Sequence, residues 1–275
     1  MLHGQSPGFL GLRSSPLSVD QDLAPDDVAI QAVASDPAVP VLRLSARGRL
    51  LDEVERERPR LDAAADLQTF DAFHRRAFNL LSAAETARAF QLAAEPRAVR
   101  ERYGRTQFGQ RCLLARRLVE AGVPIVNVHF CHTPAGSWDT HSRHFRDMKE
   151  LLCPIFDRAF SALVDDLDQR GLLEETLVLA TAEFGRTPRV NTSGGRDHWP
   201  FVYSIAMAGG GTRPGTVYGA SDASAAYPRS HPHDPRDLAA TVYHLLGVPP
   251  ETTIHDQTGR PHALVIGQKI DGLLS

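Results

Sequence analysis

Residues 123–130 read VPIVNVHF, a run of β-branched and apolar residues with the composition of a buried strand. The segments on its C-terminal side decide the fold. A polar loop, CHTPAGSWDTHSRH (131–144), leads into a helical pattern over 142–169 that stops at Gly171. Pro154 falls inside that pattern and is expected to kink or split it. A second apolar run, LVLATA (177–182), and a third, FVYSIAMA (201–208), read as further strands. Strand, helix and strand in that order imply a parallel sheet with right-handed crossovers, and hence an α/β fold.

Outward from this block the signals are helical. Residues 107–121 carry Phe108, Cys112, Ala115, Leu118 and Val119 on one stripe, with Gly122 at the C-terminal stop. Asp234-Pro235-Arg236-Asp237 opens another helix, which runs to Leu245 and stops at Gly247. Residues 67–81 are helical in spacing, and Ser82 with Glu85 forms a capping-box pattern. Residues 1–66 are irregular and rich in Pro and Gly, apart from a charged helix expected near 44–57. The chain reads as a single domain over 1–275, with its core in 67–275.

Composition narrows the function. The 275 residues carry 30 Lys and Arg against 33 Asp and Glu, a net charge of −3. That balance lacks the basic excess of a nucleic-acid binder. No apolar run is long enough for a membrane helix. Three cysteines cannot make a disulfide framework. No export signal is visible, so the chain reads as cytoplasmic as written.

The unusual polar residues cluster where strands end, the edge at which open α/β sheets bind ligands. His129, His132, Asp139, His141 and His144 lie at or beyond the end of the first strand. Glu183, Phe184, Gly185 and Arg186 come after the second, and Gly195-Arg196-Asp197-His198-Trp199-Pro200 precedes the third, whose loop must fold back to join them. Imidazole and carboxylate together suit a divalent metal. Asp139, His141, Glu183 and His198 are the candidate metal ligands. Asp139 and His141, two apart, face the same way in extended backbone. Asp197 is either a ligand or the partner that orients His198. Arg186 and Arg196 offer guanidinium forks for a phosphate or sulfate ester. His129 and His144 read as structural. No GxSxG elbow or phosphate loop is present, and nothing places a base around Cys131.

The segments YGRTQFGQRCLLARRLVEAGVPIVNVH, SWDTH, LDQRGLLEETLVLATAEFGRTPRV, GRDHWP, AMAGGG and DLAATVYHLLGV resemble the domain-of-unknown-function family DUF1501, common in Planctomycetes and related bacteria. That family is similar in turn to the alkaline phosphatase and sulfatase superfamily. The resemblance implies a mostly parallel sheet flanked by helices, in an alkaline phosphatase-like three-layer sandwich. It implies a hydrolase of phosphate or sulfate esters, on small molecules or polysaccharides, using a divalent metal such as zinc, manganese or calcium. Asp139, His141, Glu183 and His198 take the metal-ligand places, Asp197 supports them, and Arg186 holds the anion. Three features depart from the superfamily. Phe184 stands where it has a metal-binding His, and the Asp-to-His spacing is shorter. The segment with its nucleophile, and the twin-arginine export signal of full-length members, are not found, so the chain is expected to lack its N-terminal part. A non-catalytic binding or scaffold protein that keeps the fold without the chemistry is the alternative.

Overall fold

The computed structural model describes residues 8–10, 16–26, 88–130, 132–133 and 136–275. The helices expected near 44–57 and 67–81, the Ser82–Glu85 capping box and Cys131 lie outside the described residues. The described residues fall into two compact units: 8–10, 16–26, 88–95 and 255–260 belong to one, and 96–254 with 261–275 to the other. In the first, Asp256 organises a turn, its Oδ1 accepting from the backbone N–H groups of Thr258 (2.8 Å) and Arg260 (2.9 Å). Most of the α-helix and most of the strands among the described residues belong to the second.

The helices of the second unit obey their local signals. Helix α1 is Arg97–Arg102 and α2 is Gln107–Glu120. Thr106 caps α2, its Oγ1 accepting from Gly109 N at 3.1 Å, which satisfies one of the N–H groups that a helix start leaves unpaired. Phe108, Cys112 and Ala115 of the expected stripe are buried, and so are Leu113, Leu114 and Arg116, so this helix is buried over most of its circumference. The 142–169 pattern is helical from His144 to Gln169, in three pieces: α3 (His144–Asp147), a π-helical turn (Met148–Leu152) and α4 (Cys153–Gln169). Pro154 sits in the first turn of α4, where a missing N–H costs least, immediately after the π turn that resets the register. Helix α5, Pro235–Leu245, opens with Asp234 and Asp237 in a reciprocal capping box.

The strands correct the sequence reading. Among them are β1 (His132–Thr133), β2 (Gly136–Ser137), β3 (Val178–Ala180), β4 (Gly185–Arg186), β5 (His198–Trp199), β6 (Ala206–Ala208), β7 (Ala220–Ser221) and β8 (Pro228–Ser230). They pair as β1–β2, β3–β6, β4–β5 and β7–β8, each pair antiparallel. The mixture is α/β, but the described pairs are not a parallel sheet. The reason lies between β3 and β6. A parallel neighbour needs a crossover, usually a helix. Here residues 181–205 hold the β4–β5 ladder instead, and the chain returns alongside β3 in the opposite direction, Val178 facing Ala208 and Ala180 facing Ala206. Residues 123–130 have strand composition but pair with no strand among the described residues, and Ile125 is 73% exposed. β-Branched residues favour a pleated, half-buried surface, and composition alone does not supply the ladder partner.

Candidate metal centre

Three segments meet at the site. The first is 138–144, which leaves β2 and enters α3. Trp138 is anchored by rings: its indole meets Phe130 edge-on (centroids 5.4 Å apart) and Phe156 of α4 edge-on (6.1 Å), while Phe130 stacks on Phe108 of α2 at 4.2 Å. Aromatic contacts of this kind fix the height of the 139–144 loop. Asp139 N then donates to Ser137 Oγ (2.9 Å), and Thr140 Oγ1 pairs with His144 Nδ1 (2.6 Å), tying the loop to the start of α3.

The other two segments are β4 and β5. Their register sets Arg186 opposite His198, so the EFGRTP and GRDHWP stretches meet by direct strand pairing. The loop between them closes against 138–144. Arg196 N donates to Thr140 O (3.1 Å), and His144 N donates to Gly194 O (3.1 Å). Gly195 is buried there, and a Cβ at this position would overlap the carbonyl group of His141. Only glycine permits so close a backbone approach.

This packing brings three ligand atoms together. Asp139 Oδ1 lies 3.0 Å from His141 Nε2 and 2.9 Å from His198 Nε2, and the two Nε2 atoms are 3.1 Å apart. Among the described residues, Asp139, His141 and His198 form the group of three whose ligand atoms lie close enough together to hold a metal ion. The side chains are 55%, 46% and 49% exposed, so solvent and small solutes reach them directly.

The hydrogen bonds around the trio set its electrostatics. Hydrogen bonds from His198 and then Arg186 hold the Asp139 carboxyl down at about 2, so it is ionised and offers only acceptors at neutral pH. Asp197 Oδ1 lies 3.0 Å from His141 Nδ1. The hydrogen bond with His141 and then that from Asn191 lower the Asp197 pKa too. A proton on His141 Nδ1 would meet that carboxylate, and the ring would then carry its lone pair at Nε2. It points at a second acceptor, Asp139 Oδ1. Two acceptors at that distance repel unless a cation stands between them. A proton serves that purpose, and so does a divalent metal, for which two imidazole nitrogens and a carboxylate oxygen are a suitable donor set. Asp139, His141 and His198 would hold such an ion.

The other expected site residues take different places. Glu183 is exposed, beyond the end of β3, and stands outside the group of three. Arg186 is turned onto the trio: Nη2 donates to Asp139 Oδ1 (2.7 Å) and Trp138 O (2.9 Å), and Nη1 to Arg196 O (3.2 Å). Arg196 donates to Thr187 O and Pro188 O and lies over the Phe145 ring, 5.5 Å from its centroid. Asp197 orients His141, where its neighbour His198 was the expected partner. Phe184 packs on His198 with ring centroids 4.2 Å apart. His144 stays structural through its bond to Thr140, and burial and then the charges of Arg196 and Arg186 lower its pKa. Asn191 was not singled out from sequence, although Asn-Thr-Ser-Gly-Gly carries the signal of a side-chain-stabilised turn.

The family model described as a protein of unknown function, DUF1501, matches residues 2–274. The chain belongs to this family. The match spans all the segments of the site, so Asp139, His141, Arg186, Asp197 and His198 all lie within the DUF1501 region. No curated protein and no solved structure matches the chain.

Proposed function

We propose that this DUF1501 protein is a metal-dependent hydrolase of phosphate or sulfate esters, on the plan of the alkaline phosphatase and sulfatase superfamily. The observation that carries the reading is the convergence of Asp139 Oδ1, His141 Nε2 and His198 Nε2 at mutual distances of 2.9–3.1 Å on an exposed surface. A divalent ion bound there supplies positive charge that polarises the ester and stabilises the negative charge developing on it. Asp197 holds the proton on His141 Nδ1 and so keeps the Nε2 lone pair directed at the centre. Arg186 fixes Asp139 and adds a permanent positive charge at the edge of the site, which attracts an anionic ester. The order of the motifs along the chain supports the superfamily likeness.

Aryl phosphate and aryl sulfate esters, offered with zinc, manganese or calcium, test this. Turnover is expected only with metal. Asp139→Ala is expected to lower it at least about 100-fold, because losing this ligand loses the ion that stabilises the developing charge. The Phe184 ring beside His198 favours the alternative, a binding or scaffold protein without catalysis. Metal binding with no turnover on either ester class selects that alternative and rejects the hydrolase.

A further inference from the structure

We propose that Asn191 is a positioning residue for the His141–Asp197 pair, holding both partners through one amide group. The proposal rests on the metal-site reading and adds a residue that acts through the ligands rather than on the ion.

The amide of Asn191 is fully engaged. Its Nδ2 donates one proton to His141 O (3.0 Å) and the other to Asp197 Oδ1 (3.0 Å). Its Oδ1 accepts from Ser193 N (3.0 Å) and Gly195 N (2.9 Å). Its own N–H donates to Gly195 O at 2.9 Å. The oxygen half of the amide therefore folds the 191–195 turn, and the nitrogen half reaches out of it. There it grips the main chain of one partner and the carboxylate of the other. Asp197 Oδ1 receives two donors, Asn191 Nδ2 and His141 Nδ1. Asp197 N donates to Thr187 Oγ1 at 3.1 Å, which fixes its main chain but not its carboxylate. Besides His141, Asn191 is the side-chain donor that reaches that carboxylate, and it so fixes the carboxylate's orientation toward the ring. Partners of this kind set ligand orientation and basicity, and their loss costs about 10- to 100-fold in metal affinity.

Asn191→Asp separates positioning from a purely local role in the turn. The variant keeps an Oδ1 acceptor for Ser193 and Gly195. It replaces the donor with a carboxylate oxygen facing Asp197 Oδ1, and acceptor faces acceptor. By charge alone, an added anion beside a cation site strengthens cation binding. Positioning requires the opposite sign. Zinc and manganese affinities are measured by titration calorimetry on the full chain. The His141 ring nitrogens are read by ¹H–¹⁵N correlation without metal. The expected result is at least about a tenfold loss of affinity in Asn191→Asp. The wild type is expected to show protonated Nδ1 and unprotonated Nε2 on His141, and the variant to lose that pattern. Unchanged or tighter metal binding, with the His141 pattern kept, overturns the proposal. If the wild type binds neither metal but the ring pattern changes as stated, the metal reading fails and the positioning role stands. Circular dichroism confirms that the helices persist in the variant.

Discussion

Gly195→Ala is expected to abolish divalent-metal binding while leaving the helical layer folded. The added Cβ overlaps the His141 carbonyl carbon and oxygen and the Ser142 nitrogen. All three are backbone atoms, so no side-chain rotation relieves the overlap, and the 138–144 loop must retreat from 191–197. That movement breaks the Arg196 N to Thr140 O and His144 N to Gly194 O hydrogen bonds and releases His141 from Asn191. It also separates His141 from Asp197 and His198, whose contacts at 3.0 and 3.1 Å define the centre. The expected loss in zinc or manganese affinity exceeds about 100-fold, beyond the range for losing a single supporting partner. Gly194→Ala is the control. Gly194 has φ of +68° but nothing within 4 Å of a Cβ. That variant carries backbone strain of about 1–2 kcal/mol without the collision, and it is expected to retain metal. Calorimetry alongside far-ultraviolet circular dichroism checks both; near-wild-type affinity in Gly195→Ala would show that the two loops need not touch.

Asp166→Ala carries the largest expected effect on stability. Asp166 on α4 accepts from Tyr103 Oη (2.8 Å) and from Arg170 Nε (2.8 Å), and pairs with Arg116 Nε of α2 (3.0 Å). The Arg116 side chain is 1% exposed and that of Asp166 8%. Removing the carboxylate leaves the buried Arg116 guanidinium with Glu120 (2.6 Å) but without Asp166, and the loss of a buried charge partner costs up to about 3–5 kcal/mol. Burial works to raise the Asp166 pKa, but the hydrogen bonds from Arg170 and Tyr103 and the charges of Arg116 and Arg170 outweigh it, and the net shift is downward. A carboxyl whose folded pKa is depressed adds stability that is fully present above its unfolded value, about 3.9. That stability disappears as the pH falls through the lower folded value. Urea unfolding from pH 7 downward is therefore expected to show wild-type stability declining below about pH 4, with this component missing from Asp166→Ala. A variant as stable as the wild type at pH 7 would show that the cluster is not holding α2 to α4.

Helices α2, α4 and α5 were legible in the sequence because their signals are local. Thr106 and Asp234 cap, Pro235 opens, and Gly122, Gly171 and Gly247 stop, each within a turn of the helix that it bounds. Strand direction was not legible, because it depends on what fills 181–205. Two short strands there read as motif loops, and the chain reverses where a crossover was expected. At the site, residue chemistry picked out Asp139, His141, Glu183 and His198 beside strand-like segments, and the fold brings Asp139, His141 and His198 together. Which carboxylate orients which histidine was not readable. Adjacency suggested Asp197 for His198, but the turn built on Asn191 directs it to His141. Glu183 owed its expected place to the end of a strand, and its position outside the trio depends on backbone geometry past β3 that composition does not encode. Arg186 looked suited to an anion, and the β4–β5 register turns it onto Asp139.

The most direct test of the centre is metal content and affinity, measured on the purified chain and on His141→Ala and His198→Ala, with zinc and manganese as probes. One ion bound per wild-type chain, with affinity reduced at least about 100-fold in each variant, is the expected result. Equal metal content and affinity in all three proteins would contradict the assignment of the ion to Asp139, His141 and His198.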